Sequence, residues 1–323
     1  MEQPLVSIVI PTYNRPDRLG KAIQSVLDQS YPNIEIVVVN DCGTGAESVI
    51  EKLNTRKNIR YIRHSANKGL AGARNTGIHN AQGKYLGYLD DDDLFYPDHV
   101  ATLVDYLETN QVDVAYTDSQ EALQVQEGET FRTVKHFLRY SVDFDKELIL
   151  VQNFVPVLCY LHNAHCKDVV GVFDESLRAH EDWDYWIRMS RHYSMHHIPK
   201  ITSEYSQVIN SSKDNMSRNL RRMHETAVQV HKKTFDLVKD RPDLLERQHT
   251  LAESIRLAWE LQVRNEFNAF IEKLLKLFEE TKTKEALAWY DESIDKFENA
   301  LPDLDAELDK VNTIIRKFRG KNR

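Results

Sequence analysis

The sequence predicts an α/β fold, a mostly parallel sheet with helices on both faces, followed by an all-helical C-terminal region. Three observations predict it. Nearly continuous apolar runs alternate with segments of helical spacing from Val6 to Tyr116, the pattern of strands buried on both faces. Nine of the eleven glycines lie between Gly20 and Gly128, and none falls between Gly171 and Gly320. From Leu287 onward, apolar residues recur at alternating steps of three and four.

Val6 to Pro11 is a short apolar run closed by proline, a buried strand. Residues 16 to 29 carry Leu19, Ile23, Val26 and Leu27 at helical spacing, and Pro16 suits a helix start. Ile34 to Val39 is the second strand, Ala46 to Leu53 a helix, and Ile59 to Ile62 the third strand. Leu70 to Ala81 is a helix, Tyr85 to Leu89 a strand, His99 to Glu108 a helix, and Val112 to Tyr116 a fifth strand. Ligands in such sheets gather beyond the carboxyl ends of the strands. Those ends are polar here: Pro11-Thr12-Tyr13-Asn14, Asn40-Asp41-Cys42-Gly43 and Asp90-Asp91-Asp92-Asp93.

The composition shift places a first domain at residues 1–215 and a helical domain at 216–323. The seam Leu287, Tyr290, Ile294, Phe297, Leu301, Leu304, Leu308, Val311, Ile315 and Phe318 is a heptad pattern. Pro302 interrupts it. Its partner is open: a second copy in a coiled coil, another protein, or the upstream stretch with Phe267, Phe270, Leu274 and Leu277.

Net charge is −8 and the sequence pI about 5.9, which disfavours a broad nucleic-acid footprint. Three cysteines, Cys42, Cys159 and Cys166, are odd in number and irregular in spacing, which points away from a disulfide framework and to a reducing compartment. Met1 leads directly into a strand-like segment, so no secretory leader is expected, and no stretch approaches a membrane span. His162 and His165 beside Cys166 form a loose metal-ligand pattern that lacks a second cysteine pair. The basic end Arg316 to Arg323 reads as a solvated terminus, with contact to anionic lipid as its alternative.

Four successive aspartates at a strand end are the strongest chemical signal. Adjacent carboxylates repel, and a divalent cation relieves that repulsion. Hard oxygen ligands suit Mn²⁺ or Mg²⁺, which also bind phosphates. The competing reading is an acidic turn at the start of the next helix.

Five segments together resemble family 2 glycosyltransferases. They are Val6 to Asn14, Val39 to Thr44, Asn67 to Gly77 (Asn-x-Gly-x-x-x-Ala-Arg-Asn-x-Gly), Leu89 to Asp93 with Pro97 and Asp98, and Gly171 to Leu177 followed by Glu181-Asp182-Trp183-Asp184. They occur in order across residues 6 to about 190 and leave the helical tail uncovered. The resemblance implies the GT-A fold, a Rossmann-like sheet that binds a nucleotide-sugar. It implies that Pro11, Thr12, Tyr13, Asn14, Asp41, Asn67, Gly69, Arg74, Asp90 and Asp91 hold the donor. Asp41 would accept from the base, and Arg74 would meet base or phosphate as a fixed cation. Asp92 would be the metal ligand, and Asp93 a cap on the next helix.

Asp182 is the expected general base for inverting transfer, with Glu181 and Asp184 as flanking carboxylates that could take its place. Trp183 and Trp186 would stack on an acceptor sugar or pack in the core. The family often supplies a late histidine to the metal. Glu204 to Asn210 contains none, so the last ligand is open. The polar stretch from Tyr205 to Arg218 reads as a lid, with Lys213 and Arg218 near the diphosphate.

The expected activity is metal-dependent transfer from a UDP- or dTDP-sugar to a glycan or lipid-linked glycan acceptor, in bacterial surface polysaccharide synthesis. The expected setting is the cytoplasm, with peripheral contact to the inner face of the membrane. The alternatives are a sugar-phosphate nucleotidyltransferase, which would want a glycine-rich basic loop after the first strand, and a non-catalytic binding scaffold.

Overall fold

The computed structural model describes residues 3–55, 58–128, 130–209 and 219–279, together with 285, 287–288, 290–291, 311–313 and 315–316. The first half runs β1 (Val6–Thr12), α1 (Pro16–Leu27), β2 (Ile34–Asn40), α2 (Glu47–Leu53), β3 (Ile59–Arg63), α3 (Gly69–Asn80), β4 (Tyr85–Tyr88), β5 (Leu94–Phe95) and α4 (His99–Asn110). Then come β6 (Val114–Glu127), β7 (Thr130–Tyr140), α5 (Leu148–Val151), β8 (Tyr160–Asn163), α6 (Cys166–Val170), α7 (Glu181–His192), β9 (Met195–Ile209), α8 (Leu220–Lys233), α9 (Phe235–Val238) and α10 (Pro242–Glu279).

The strands form one sheet in the order β3-β2-β1-β4-β8-β6-β9-β5, with β7 beside β6. The β3-β2-β1-β4 part is parallel, as the apolar runs predict. Beyond β4 the sheet is mixed: β8 is antiparallel to β4 and β6, whereas β6 and β9 run parallel. The predicted fifth strand is only the start of β6. Its continuation carries Thr117, Ser119 and Gln124, polar residues that hide a strand from a hydrophobicity reading. They are buried with partners: Thr202 Oγ1 donates to Thr117 Oγ1 at 2.7 Å, and Gln124 Nε2 to Ser206 Oγ at 3.2 Å.

Strand order reverses at β1, whose neighbours are β2 and β4. That reversal opens a crevice at the carboxyl ends of these strands. Helix α3 lies close on β1, because Gly77 presents no side chain: a Cβ there would fall 2.2 Å from Val9 Cγ1. Trp186 is fully buried and stacks on Tyr160 at 3.9 Å, and Trp183 donates to the Ile149 carbonyl at 2.5 Å. Both tryptophans are therefore core residues, and neither is placed to stack on a sugar.

The chain divides into two compact units, Met1–Leu251 and Ala252–Arg323. Helix α8 packs in the first unit. Thr226 bonds His180 at 2.9 Å, His231 bonds the Val151 carbonyl at 2.9 Å, and Lys233 pairs with Asp184 at 2.5 Å. The first unit thus extends past the change in composition. In the second unit Phe267, Phe270 and Leu274 form a core with Tyr290, Val311 and Ile315, and Leu287 packs against it. These seam positions meet the upstream helix of their own chain. Ile294, Phe297, Leu301, Leu304, Leu308 and Phe318 lie outside the described residues, as do Lys213 and Arg218. Among the described residues no helix is long and apolar enough to cross a membrane.

Candidate active site

Left-handed backbone occurs at the crevice, as it does at Gln111 after α4. Asn14, Cys42 and His180 hold left-handed φ values of 58°, 64° and 59°. They sit just past β1, just past β2 and just before α7. Non-glycine residues keep such angles only where surroundings enforce them, and they gather at functional sites. Asn14 does not cap α1. Its Oδ1 accepts from Thr44 N at 2.7 Å and joins the ends of β1 and β2. Pro11 is buried in β1, and Tyr13 is half exposed at the rim.

Asp41 is buried and turned toward the start of α3. Its Oδ1 accepts from Lys68 N at 2.8 Å, its Oδ2 from Gly69 N at 2.8 Å, and His64 Nδ1 lies 2.7 Å from Oδ1. A carboxylate there meets the unpaired amides and the positive end of the helix dipole. Gly69 allows this turn because its φ is +80°. Asn67 bonds the Asp41 carbonyl at 3.3 Å. Asp41, Asn67 and Gly69 therefore form one structural unit.

The four aspartates fan out. Asp90 accepts from Arg74 Nη2 at 2.6 Å. Asp91 accepts from Thr12 Oγ1 at 2.7 Å and Arg15 at 3.1 Å. Asp92 Oδ2 accepts from Arg15 at 2.8 Å and Arg18 at 3.1 Å. Asp93 is not a helix cap. It turns to the adjacent sheet edge, where its Oδ1 accepts from Ser206 N at 2.8 Å. Burial and the charge of Asp92 push Asp91 up to about 7, against the pull of Arg15. Burial also raises Asp92, and Arg15 opposes it.

Arg74 joins the two acidic groups. It is 1% exposed and reaches from α3 to Asp90 through Nη2 and to Glu181 through Nη1. Burial disfavours its charge, but Asp90, Glu181 and Asp182 outweigh burial and hold it protonated. Glu181 is pushed up to about 7 by burial, with Arg74 pulling it down and Asp182 pushing it up. Asp182 is half-buried, unlike Glu181 and Asp184. Its Oδ1 accepts from Trp183 N at 2.8 Å and its Oδ2 from Asn153 at 3.0 Å. Asp184 is taken by Arg188 at 2.9 Å and by Lys233.

Several participants carry little or no signal in the sequence. Arg15 and Arg18 had a signal, because a spacing of three at a helix start puts both on one face. Arg18 also bonds Gln124 at 2.7 Å and lies 4.0 Å over the Phe131 ring. Nothing local in the sequence announces Gln124, Phe131 or Asn153.

The carboxylates suit a hard divalent cation by charge and donor type. Among the described residues Asp93 Oδ2 is buried without a partner, and Asp92 and Asp93 line a cavity of about 30 Å³. Against this, Arg15 and Arg18 already neutralise Asp92, so a cation must share or displace them.

A strand reversal at β1, an acidic end on β4 and carboxylates opening α7 define a GT-A sheet. Solved structures agree on the fold. The mannosyltransferase PcManGT of Pyrobaculum calidifontis, in complex with GDP-Man and Mn²⁺, aligns over 99% of this chain and 83% of its own, with TM-score 0.55 and 17% identity. TarS 1-349 of S. aureus in complex with UDP-GlcNAc aligns over 70% of this chain and 66% of its own, with TM-score 0.52 and 18% identity. WcaA of Escherichia coli, named as a colanic acid biosynthesis glycosyl transferase, is 31% identical over 194 residues, 59% of this chain and 67% of WcaA. The Rickettsia prowazekii glycosyltransferase RP339 is 35% identical over 191 residues, and the match spans 59% of its length. The family described as Glycosyl transferase family 2 matches residues 7–164. The chain belongs to that family.

Proposed function

We propose that this chain is an inverting, metal-dependent glycosyltransferase. It moves a sugar from a UDP- or dTDP-sugar to a hydroxyl of a glycan acceptor in bacterial surface polysaccharide synthesis. The observation that carries the reading is the Arg74 bridge. It links Asp90, at the donor end of β4, to Glu181, directly beside a carboxylate suited to act as base. The colanic acid name of WcaA and the nucleotide-sugars named with TarS and PcManGT support it.

Asp182 is the base. It is the partly exposed carboxylate of the three that open α7, whereas Glu181 holds Arg74 and Asp184 holds Arg188 and Lys233. Asp182 takes the acceptor's hydroxyl proton as that oxygen attacks the anomeric carbon. The bond from that carbon to phosphate oxygen breaks on the opposite face, and its electron pair leaves with the nucleoside diphosphate. Thr12 fixes Asp91, and Arg74 fixes Asp90, so these carboxylates are oriented before the donor arrives. Asp92 would hold Mn²⁺ or Mg²⁺, which when bound supplies positive charge to the diphosphate. Pro11, Tyr13 and Asn14 line the same rim from β1.

Thermal shift with UDP, dTDP and GDP, each with and without Mn²⁺, tests binding, and hydrolysis of a panel of activated sugars tests the donor. Stabilisation by UDP or dTDP that needs the cation is the expected result. No response to any diphosphate, or stabilisation by GDP alone, overturns the donor assignment.

A further inference from the structure

At the opposite end of the sheet from the aspartates, three donors of different chemistry meet. Asp113 precedes β6, and His165 and Cys166 follow β8. One ligand atom from each lies within 4.8 Å of the other two. The site is well separated from the aspartates. Tyr85, which opens β4, pairs with Asn163, and the strand then rises about 3.3 Å per residue toward Asp90.

The sequence pattern suggested His162 beside His165 and Cys166. The structure removes His162, whose Nε2 bonds Tyr88 at 2.9 Å and whose Nδ1 bonds the Asn163 carbonyl at 2.9 Å. Asp113 replaces it. Backbone bonds fix the arrangement: Asn163 N donates to the Asp113 carbonyl at 2.7 Å, and Ala164 N to the Lys84 carbonyl at 2.8 Å. Asn163 Oδ1 accepts from His165 N at 3.2 Å and shapes the turn that presents both ligands.

We infer that Asp113, His165 and Cys166 form a binding site for one Zn²⁺ ion, distinct from the nucleotide-sugar site. The donor set of one oxygen, one nitrogen and one sulfur suits this borderline ion. Bonds of about 2.0–2.1 Å at tetrahedral angles put neighbouring nitrogen and oxygen ligands roughly 3.3 Å apart. His165 Nε2 lies 3.3 Å from Asp113 Oδ1. Cys166 Sγ approaches from the buried side, while His165 and Asp113 are 52% and 37% exposed. Water completes the fourth position on that open side. Binding releases the Cys166 thiol proton to solvent as the sulfur–zinc bond forms. The ion then ties the start of β6 to the turn after β8.

The test uses the full chain stripped of metal, without nucleotide, and Co²⁺ as a spectroscopic stand-in for Zn²⁺. One Co²⁺ per chain should give a thiolate-to-cobalt charge-transfer band that Zn²⁺ displaces. Cys166→Ser should abolish the band. His165→Gln, on an exposed side chain, should keep the fold and weaken binding by roughly 10–100-fold, the scale on which even outer partners act. Cys42→Ser should leave the band intact. No band in the wild type, a band that survives Cys166→Ser, unchanged affinity in His165→Gln, or a band lost with Cys42 overturns the site.

Discussion

Arg74 and Glu181, 107 positions apart, form a buried ion pair at the junction of α3 and α7. Removing one member strands the other in a medium that penalises charge. Above pH about 7, where Glu181 is ionised, Arg74→Met should therefore destabilise the protein by about 3–5 kcal/mol. Replacing both, as Arg74→Met with Glu181→Leu, should cost less than the sum of the single changes. Urea denaturation of the four proteins in the cycle checks this. Strict additivity would show that the pair is not coupled.

The same burial makes stability depend on pH. Glu181 ionises near 4.5 in the unfolded chain and at about 7 in the folded one. Between those values the folded state holds a proton that the unfolded state has lost. The contribution of Glu181 to stability is thus fully present below 4.5 and declines as pH rises toward about 7. Glu181→Gln should flatten that part of the stability profile, as denaturation midpoints at half-unit pH steps would reveal. An unchanged slope assigns it to other groups.

Asp182→Asn should keep donor binding and lose transfer by about 10²–10⁴-fold, the usual worth of a general base. Burial, opposed by Arg74, raises Asp182 from the ordinary aspartate value. The rate should therefore climb with pH to a higher point than an ordinary aspartate would set, as the base becomes ionised. Wild-type turnover by Asp182→Asn would remove it from the mechanism.

Arg15 and Arg18 both donate to Asp92 Oδ2, so they compete with a cation for one oxygen. Arg15→Gln should strengthen Mn²⁺ binding in the absence of nucleotide by several-fold, since removing a nearby positive charge favours a cation. Asp92→Ala should abolish Mn²⁺-dependent binding of the diphosphate. Manganese paramagnetic resonance with the three proteins measures both effects. Equal affinity in Arg15→Gln and wild type would rule out competition.

The parallel half of the sheet was legible because both faces of β1, β2 and β4 are covered, which forces unbroken apolar runs. The carboxylates at the strand ends were legible for the converse reason: charge is tolerated there only with partners. The partners themselves were less so. Arg74 stood out only through its motif, and on composition alone it would pass for a surface arginine. Thr117, Ser119 and Gln124 concealed most of β6, since a buried polar strand satisfied by neighbouring side chains looks like a loop. The reach of Arg18 to Phe131, across 113 positions of sequence, depends on where β7 folds back, and no local pattern encodes that.

Helix α3 carries Arg74 and begins at the Asp41 bonds, so its seating on the sheet positions the site. Two of its glycines are required for different reasons. At Gly77 a methyl would meet Val9 Cγ1 at 2.2 Å, a clash with a neighbour. At Gly69 no atom of the described residues lies within 4 Å of an added Cβ, and the constraint is the φ of +80°. Gly77→Ala should destabilise by about 1–3 kcal/mol from overpacking, partly offset by the helix preference of alanine. Gly69→Ala should cost about 1–2 kcal/mol from the left-handed backbone alone. Val9→Ala opens space only at the first. In the Val9→Ala background the penalty of Gly77→Ala should shrink, while that of Gly69→Ala should stay the same. Calorimetry on the single and double variants separates the two causes, and a Gly77→Ala penalty that ignores Val9 would mean the helix sits farther from β1 than this contact requires.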